Sequence, residues 1–288
     1  MWWLKPLLAL GWNWNVWILA SLVFAPACYL AGLLRIPLSV RSHLIGTLRS
    51  ASFITGIATL FMVLISPLDG LDDELFSAHM AQHMVLMMVA PPLLVFGRPT
   101  LVWLWAFPLP ARRLIGRTWV RTGLRHFLHE LFTPAVIWIL SSVALWFWHL
   151  PAPFAWSLAS EPIHALEHFC FFATSLMFWS LVLEPLAKRR ITYSLAMIFV
   201  VTFGLQMGLL GALLTFATHP LYPAYLQTTQ PWGLTPLEDQ QLGGLSMWIP
   251  ASLIHLTTLG FLLAAWMRQD EAVSIAAVSA RRDSALGR

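Results

Sequence analysis

Apolar residues along this chain come in blocks of about 20, the length needed to cross a hydrocarbon core of about 30 Å, with short polar connections between them. The blocks lie near 15–34, 46–66, 75–96, 134–150, 162–184, 193–218 and 243–267, and they predict seven membrane-spanning helices. The expected fold is all-α: a polytopic membrane protein built as a seven-transmembrane-helix bundle. One domain would cover residues 1–270 and a flexible cytoplasmic tail 271–288. Ala90-Pro91-Pro92 and Pro250 remove backbone donors inside the third and seventh blocks, so both spans are expected to kink. Residues 101–107 are apolar but too few to cross, and suit the interface or a re-entrant dip. Residues 111–130 carry arginine in a helical rhythm, the mark of an amphipathic helix lying on anionic lipid.

Charge assigns the orientation. Arg35, Arg41 and Arg49 flank the first connection, and Arg98, Arg112, Arg113, Arg117, Arg121 and Arg125 fill the third. Lys188, Arg189 and Arg190 mark the fifth connection, and Arg268, Arg281, Arg282 and Arg288 the tail. Of 17 basic residues only Lys5 falls on the other side, which predicts the N-terminus outside and the C-terminus cytoplasmic. Trp2, Trp3, Trp12 and Trp14 read as an interfacial belt leading into a retained first span, and residues 25–28 are a poor match to a lipoprotein processing site.

Composition narrows the class further. The hydrophobic fraction is 58%, the charged fraction 10% and the mean hydropathy +0.72, well away from soluble proteins. The net charge of +4 is a topology signal carried by loops, so no nucleic-acid partner is expected. Cys28 and Cys170 both sit inside apolar blocks without a C-x-x-C pattern, which suggests neither a disulfide framework nor an iron–sulfur site.

The candidate chemistry is histidine. His79/His83 and His164/His168 are two pairs with four-residue spacing, so each pair puts both imidazoles on one helix face. On the predicted topology both pairs open spans from the outside, while His149 ends span four and His219 follows span six on that same side. Six of ten histidines therefore gather at one membrane face, where ionisable groups usually serve function. His255 lies near mid-membrane, and His43, His126 and His129 fall inside with the arginines; like His219, these read first as structural.

On a straight α-helix with His79 at zero, His83 falls at about 40°, Met87 about 80°, Met80 about 100° and Met84 about 140°. Imidazole backed by thioether suits copper, Cu(I) above all, so the candidate metal ligands are His79, His83, His164, His168 and His149 with Met80, Met84 and Met87. The methionines could form a softer, deeper station or simply fill the core. Glu167, about 60° from its neighbouring histidine, could orient a ring from behind. Asp69, Asp72, Asp73, Glu74, Glu238 and Asp239 supply acid in the outer loops, with Asp72–Glu74 reading first as solvated loop residues. The outer connection 219–242, rich in Pro, Tyr and Trp, is a candidate cap or partner surface.

An ordered set of motifs carries a family resemblance across about 70–265. They are His79-Met-Ala-Gln-His83, Ala90-Pro-Pro-Leu-Leu, Gly97-Arg-Pro99, His149-Leu-Pro151, His164-Ala-Leu-Glu-His168 with Phe178-Trp179, Leu221-Tyr-Pro223, and Asp239-Gln-Gln-Leu-Gly-Gly running into Met247-Trp248-Ile-Pro250. In these the chain resembles the CtaG-like cytochrome c oxidase assembly factors of bacteria. The resemblance implies a multi-pass protein of the bacterial inner membrane that helps mature a haem–copper oxidase, with copper as the cargo for the buried binuclear centre. The implied partners are an oxidase subunit, the lipid bilayer and a periplasmic copper donor. Such a factor would be no enzyme in the bond-making sense. The alternative is a b-type haem protein with paired histidines as axial ligands, for electron transfer or haem handling. A transporter ranks last, because the cytoplasmic half of the spans is nearly free of ionisable groups.

Overall fold

The computed structural model describes residues 11–123, 126, 132–183 and 191–285, with backbone alone at 43, 120 and 272–285. Trp2, Trp3, Lys5, Arg125, His129, Lys188, Arg189, Arg190 and Arg288 lie outside the described residues. Among the described residues the chain is helical throughout, without strands. The helices are α1 (Val16–Arg35), α2 (Leu38–Leu44), α3 (Gly46–Leu64), α4 (Phe76–Phe96), α5 (Pro99–Ala106), α6 (Leu109–Arg121), α7 (Pro134–Trp148), α8 (Pro151–Ala159), α9 (Glu161–Leu183), α10 (Tyr193–Thr215) and α11 (Pro236–Ala285).

Six of these are long and apolar enough to cross a membrane. A seventh crossing exists only if α7 and α8, bent by 77° at His149-Leu150, are one span. With 15 residues, α7 covers about 22 Å at 1.5 Å per residue, short of the hydrocarbon thickness by itself. The bend has a local cause: Leu150 precedes Pro151 and is held extended (ψ 140°), which stops α7 and lets proline open α8. Residues 101–106 fall in α5, which lies against α1, and the arginine-bearing segment is helical as far as Arg121 in α6, with 124, 125 and 127–130 outside the described residues.

The central helix is α4. In its most apolar window 67% of residues are buried, against 39% or less for the other spans, so it is the element the rest assemble around. One core joins α4 to α7–α11 through Phe76, Met80, Leu145, Phe154, Phe171, Trp179, Phe203 and Met247. A second joins α1, α3 and α5 to the opposite side of α4 through Tyr29, Phe53, Leu86, Leu94 and Val102.

The proline pair interrupts the hydrogen-bond ladder of α4, yet the helix runs on as one span, Phe76–Phe96. Residues Val85–Val89 form a π-helical turn directly before Ala90-Pro91-Pro92. Pro91 has no N–H to give the Met87 carbonyl four residues back. The indole Nε1 of Trp179 on α9 takes that place, donating to the Met87 oxygen at 2.9 Å.

The last helix departs from expectation at both ends. It begins at Pro236, not near 243, and its backbone continues to Ala285. Its start is a reciprocal cap: the Glu238 backbone N–H donates to the Thr235 hydroxyl (3.2 Å), and the Thr235 N–H donates to the Glu238 carboxylate (2.8 Å). Against α10 its backbone comes very close, since a Cβ on Gly244 would lie 2.7 Å from the Gly211 carbonyl oxygen.

Candidate metal centre

The site is built where the N-termini of α4 and α9 meet. Leu75 is extended, and the first turn of α4 is capped from outside its own helix. The Asp239 carboxylate, at the start of α11, accepts from the backbone N–H of Phe76 (2.7 Å) and Ser77 (3.1 Å) and from the Ser77 hydroxyl. That satisfies donors the helix cannot satisfy itself and fixes the turn that carries His79. On α9, His164 and His168 lie one turn apart with Glu167 between them.

Five imidazoles come together there. Ring centroids lie 4.3 Å apart for His79–His83, 4.2 Å for His164–His168, 5.1 Å for His79–His164 and 5.3 Å for His83–His168. His149, at the α7/α8 bend, sits 6.1 Å from His83. Phe154 and Phe171 wall the cluster, 4.9 Å from His79 and 4.6 Å from His83. Two groups of three donors each lie within 4.8 Å of one another: His79 with His164 and His168, and His79 with His83 and Glu167. Glu167 is fully buried, its Oε1 3.7 Å from His83 Nε2 and its Oε2 4.0 Å from His79 Nε2. Those separations are too long for hydrogen bonds.

The tautomers are set by the partners. His149 Nδ1 lies 2.6 Å from the Leu145 carbonyl, which can only accept, so Nδ1 carries the proton and Nε2 keeps its lone pair. The Tyr225 hydroxyl donates to the Asp72 carbonyl (2.7 Å), leaving its oxygen to accept from His79 Nδ1 at 3.4 Å. His79 too therefore presents a bare Nε2. The Nε2 atoms of His79, His83, His149, His164 and His168 and both oxygens of Glu167 are buried without a protein partner. Buried polar atoms are normally paired, so this many orphans on one spot match a bound cation. The donor set, neutral imidazole plus a carboxylate, suits copper or zinc and has no appeal for magnesium or calcium.

Loop residues complete the rim. Asp72 is buried, with Oδ2 3.6 Å from His164 Nε2; burial, then the neighbouring Asp69 and Asp73 charges, pushes its carboxyl up to about 8. The 219–235 connection folds over the cluster as a cap. Tyr222 donates to the His149 carbonyl (2.8 Å), Tyr225 reaches Asp72 and His79, and Thr228 donates to the Glu74 carbonyl (2.7 Å). Burial raises both tyrosine hydroxyls above their usual range and keeps them as donors.

All five predicted histidine ligands are thus gathered. The three methionines are buried in the main core, and Met80 faces Gly243 of α11 beside the Phe76 ring. The straight-helix angles do not hold past Val85, because a π turn consumes an extra residue and rotates the later positions by about 100°. His255 stands apart, its ring 6.4 Å from Trp179 and its Nδ1 2.7 Å from the Ala251 carbonyl; His219 is exposed at the end of α10. Sequence reasoning placed Glu167 behind a ring and Asp72 in solvent, whereas both face the imidazoles. The i,i+3 relation of Glu167 to His164 was the available signal for the first. Nothing local marked the second.

Residues 27–269 match the family described as cytochrome c oxidase caa3 assembly factor (Caa3_CtaG). The chain is also similar to an uncharacterized protein of Mycobacterium leprae, 27% identical over 281 residues, which covers 91% of this chain and 41% of that protein. Uncharacterized proteins of Mycobacterium bovis and Mycobacterium tuberculosis are each 29% identical over 239 residues, 78% of this chain and 35% of theirs. The chain therefore spans less than half the length of these curated relatives. No solved structure matches it.

Proposed function

The chain belongs to the cytochrome c oxidase caa3 assembly factor family, and from that premise we propose that it binds copper in the histidine cluster and delivers it to a haem–copper oxidase. The observation that carries the reading is the convergence of five buried Nε2 atoms and the Glu167 carboxylate, none of them hydrogen-bonded. Copper is cargo here, held by His79, His83, His164, His168 and Glu167 with His149 beside them, and passed on by ligand exchange without bond-making catalysis. Met80, Met84 and Met87 are assigned to packing in this reading, since all three are buried in the main core and Met80 lies against Gly243 of α11. The arginine distribution supports a periplasmic mouth, where a copper donor and an oxidase subunit would meet the protein in the bacterial inner membrane.

The test is copper binding by purified full-length protein, wild type against the double variant His83→Ala plus His168→Ala. The double variant breaks both donor groups, and its affinity is expected to fall on the order of 100-fold or more. Unchanged binding would remove the reading. A Soret band in the same preparation would transfer the site to haem b, the competing occupant.

A further inference from the structure

The two donor groups share one residue. His79 belongs to the group with His164 and His168 and to the group with His83 and Glu167. It has one unpartnered nitrogen, Nε2, because Nδ1 faces the Tyr225 hydroxyl. One lone pair cannot complete both groups at once. The groups also differ in exposure. The His164 side chain is 20% exposed, while His83 is 2% and Glu167 0%. Resting on the copper reading above, we propose that the cluster is two alternative stations for one ion, an outer one of three imidazoles and an inner one of two imidazoles and a carboxylate, with His79 as the pivot between them.

The exchange balances simply. Bonds to His164 and His168 break as bonds to His83 and Glu167 form, and the bond to His79 is kept. No electron changes hands. An inward step binds Glu167 as its carboxylate, any proton on it leaving to solvent as the metal bond forms, and the negative charge gained offsets burying the cation more deeply. Asp72, beside His164, gives the outer station its own acid at the rim. The arrangement lets a docked partner compete for the outer ligands while the ion remains held.

The stoichiometry and the variant pattern test this. Purified full-length protein would be titrated with Cu(I) anaerobically against a competing chelator, and the number of bound imidazoles read by X-ray absorption. One ion per chain is expected. His164→Ala and Glu167→Gln should each keep one ion, because the other station survives; affinity falls only by the lost station's share, about twofold if the two are equal. Glu167→Gln should read as three imidazoles, and His164→Ala should show fewer imidazoles with an oxygen donor. His79→Ala, and the double variant His164→Ala plus Glu167→Gln, should lose on the order of 100-fold or more.

Two ions per chain would overturn the shared pivot. So would either single variant losing as much affinity as His79→Ala while the protein still runs as a folded species on gel filtration, because that is the behaviour of one merged site. Wild-type protein that binds no copper at all would instead sink the function proposed above, so the two failures are distinguishable.

Discussion

At the scale of single residues, the site depends on which nitrogen each histidine leaves bare. The backbone decides it at His149, through the Leu145 carbonyl, and a loop tyrosine decides it at His79. Removing the Tyr225 hydroxyl should therefore matter twice. In Tyr225→Phe the Asp72 carbonyl loses its donor, which costs about 1 kcal/mol, and the His79 ring loses its orienting partner, which lowers copper affinity by about tenfold. Chelator competition and thermal unfolding of the same preparation measure the two effects; an unaltered affinity would show that the Tyr225 contact does not set the His79 tautomer. The five imidazoles were readable from spacing and topology, since i,i+4 pairs on two helices entering from one side have few places to meet. Asp72 was not readable, because its burial comes from a cap more than 140 residues further along the chain, and no local pattern announces a long-range lid.

At the scale of elements, α11 sets the position of α4. Its Asp239 caps the turn bearing His79, and Gly243 lets it approach the Phe76 ring closely. Asp239→Ala should strip three donors of their acceptor and destabilise the fold by about 1–2 kcal/mol. Copper affinity should fall with it although residue 239 is no ligand; chelator competition at full folding would show the drop, and an intact affinity would separate α11 from the site. Hydropathy alone began α11 near 243 because its first turns are polar; the T-x-x-E cap at Thr235–Glu238 went unread. The response of α4 to its prolines was hidden for a different reason. How a carbonyl freed by proline is satisfied depends on a donor from another helix, here Trp179, and sequence periodicity carries no record of such a partner.

For the whole molecule, the bundle is legible nearly throughout, since lipid-crossing helices advertise themselves by length and hydropathy. The exception is α7–α8, where a bend of 77° leaves the count between six and seven. Orientation is the property with the clearest external check. Single cysteines introduced at Thr228 and at Gly116, in a chain with Cys28 and Cys170 replaced, should be labelled from opposite sides of intact cells. Thr228 should react with an impermeant thiol reagent from outside, and Gly116 only after permeabilisation; the reverse would invert the topology read from the arginines. The clasp between the Trp179 indole and the Met87 carbonyl has a consequence for traffic. It rivets α4 to α9 one turn beyond His83, where the buried Phe171, Phe178 and Trp179 rings of α9 form an apolar floor. If the cluster carries copper as proposed, that floor leaves the outer mouth as its approach, and supplier and recipient would have to take turns at the same doorway.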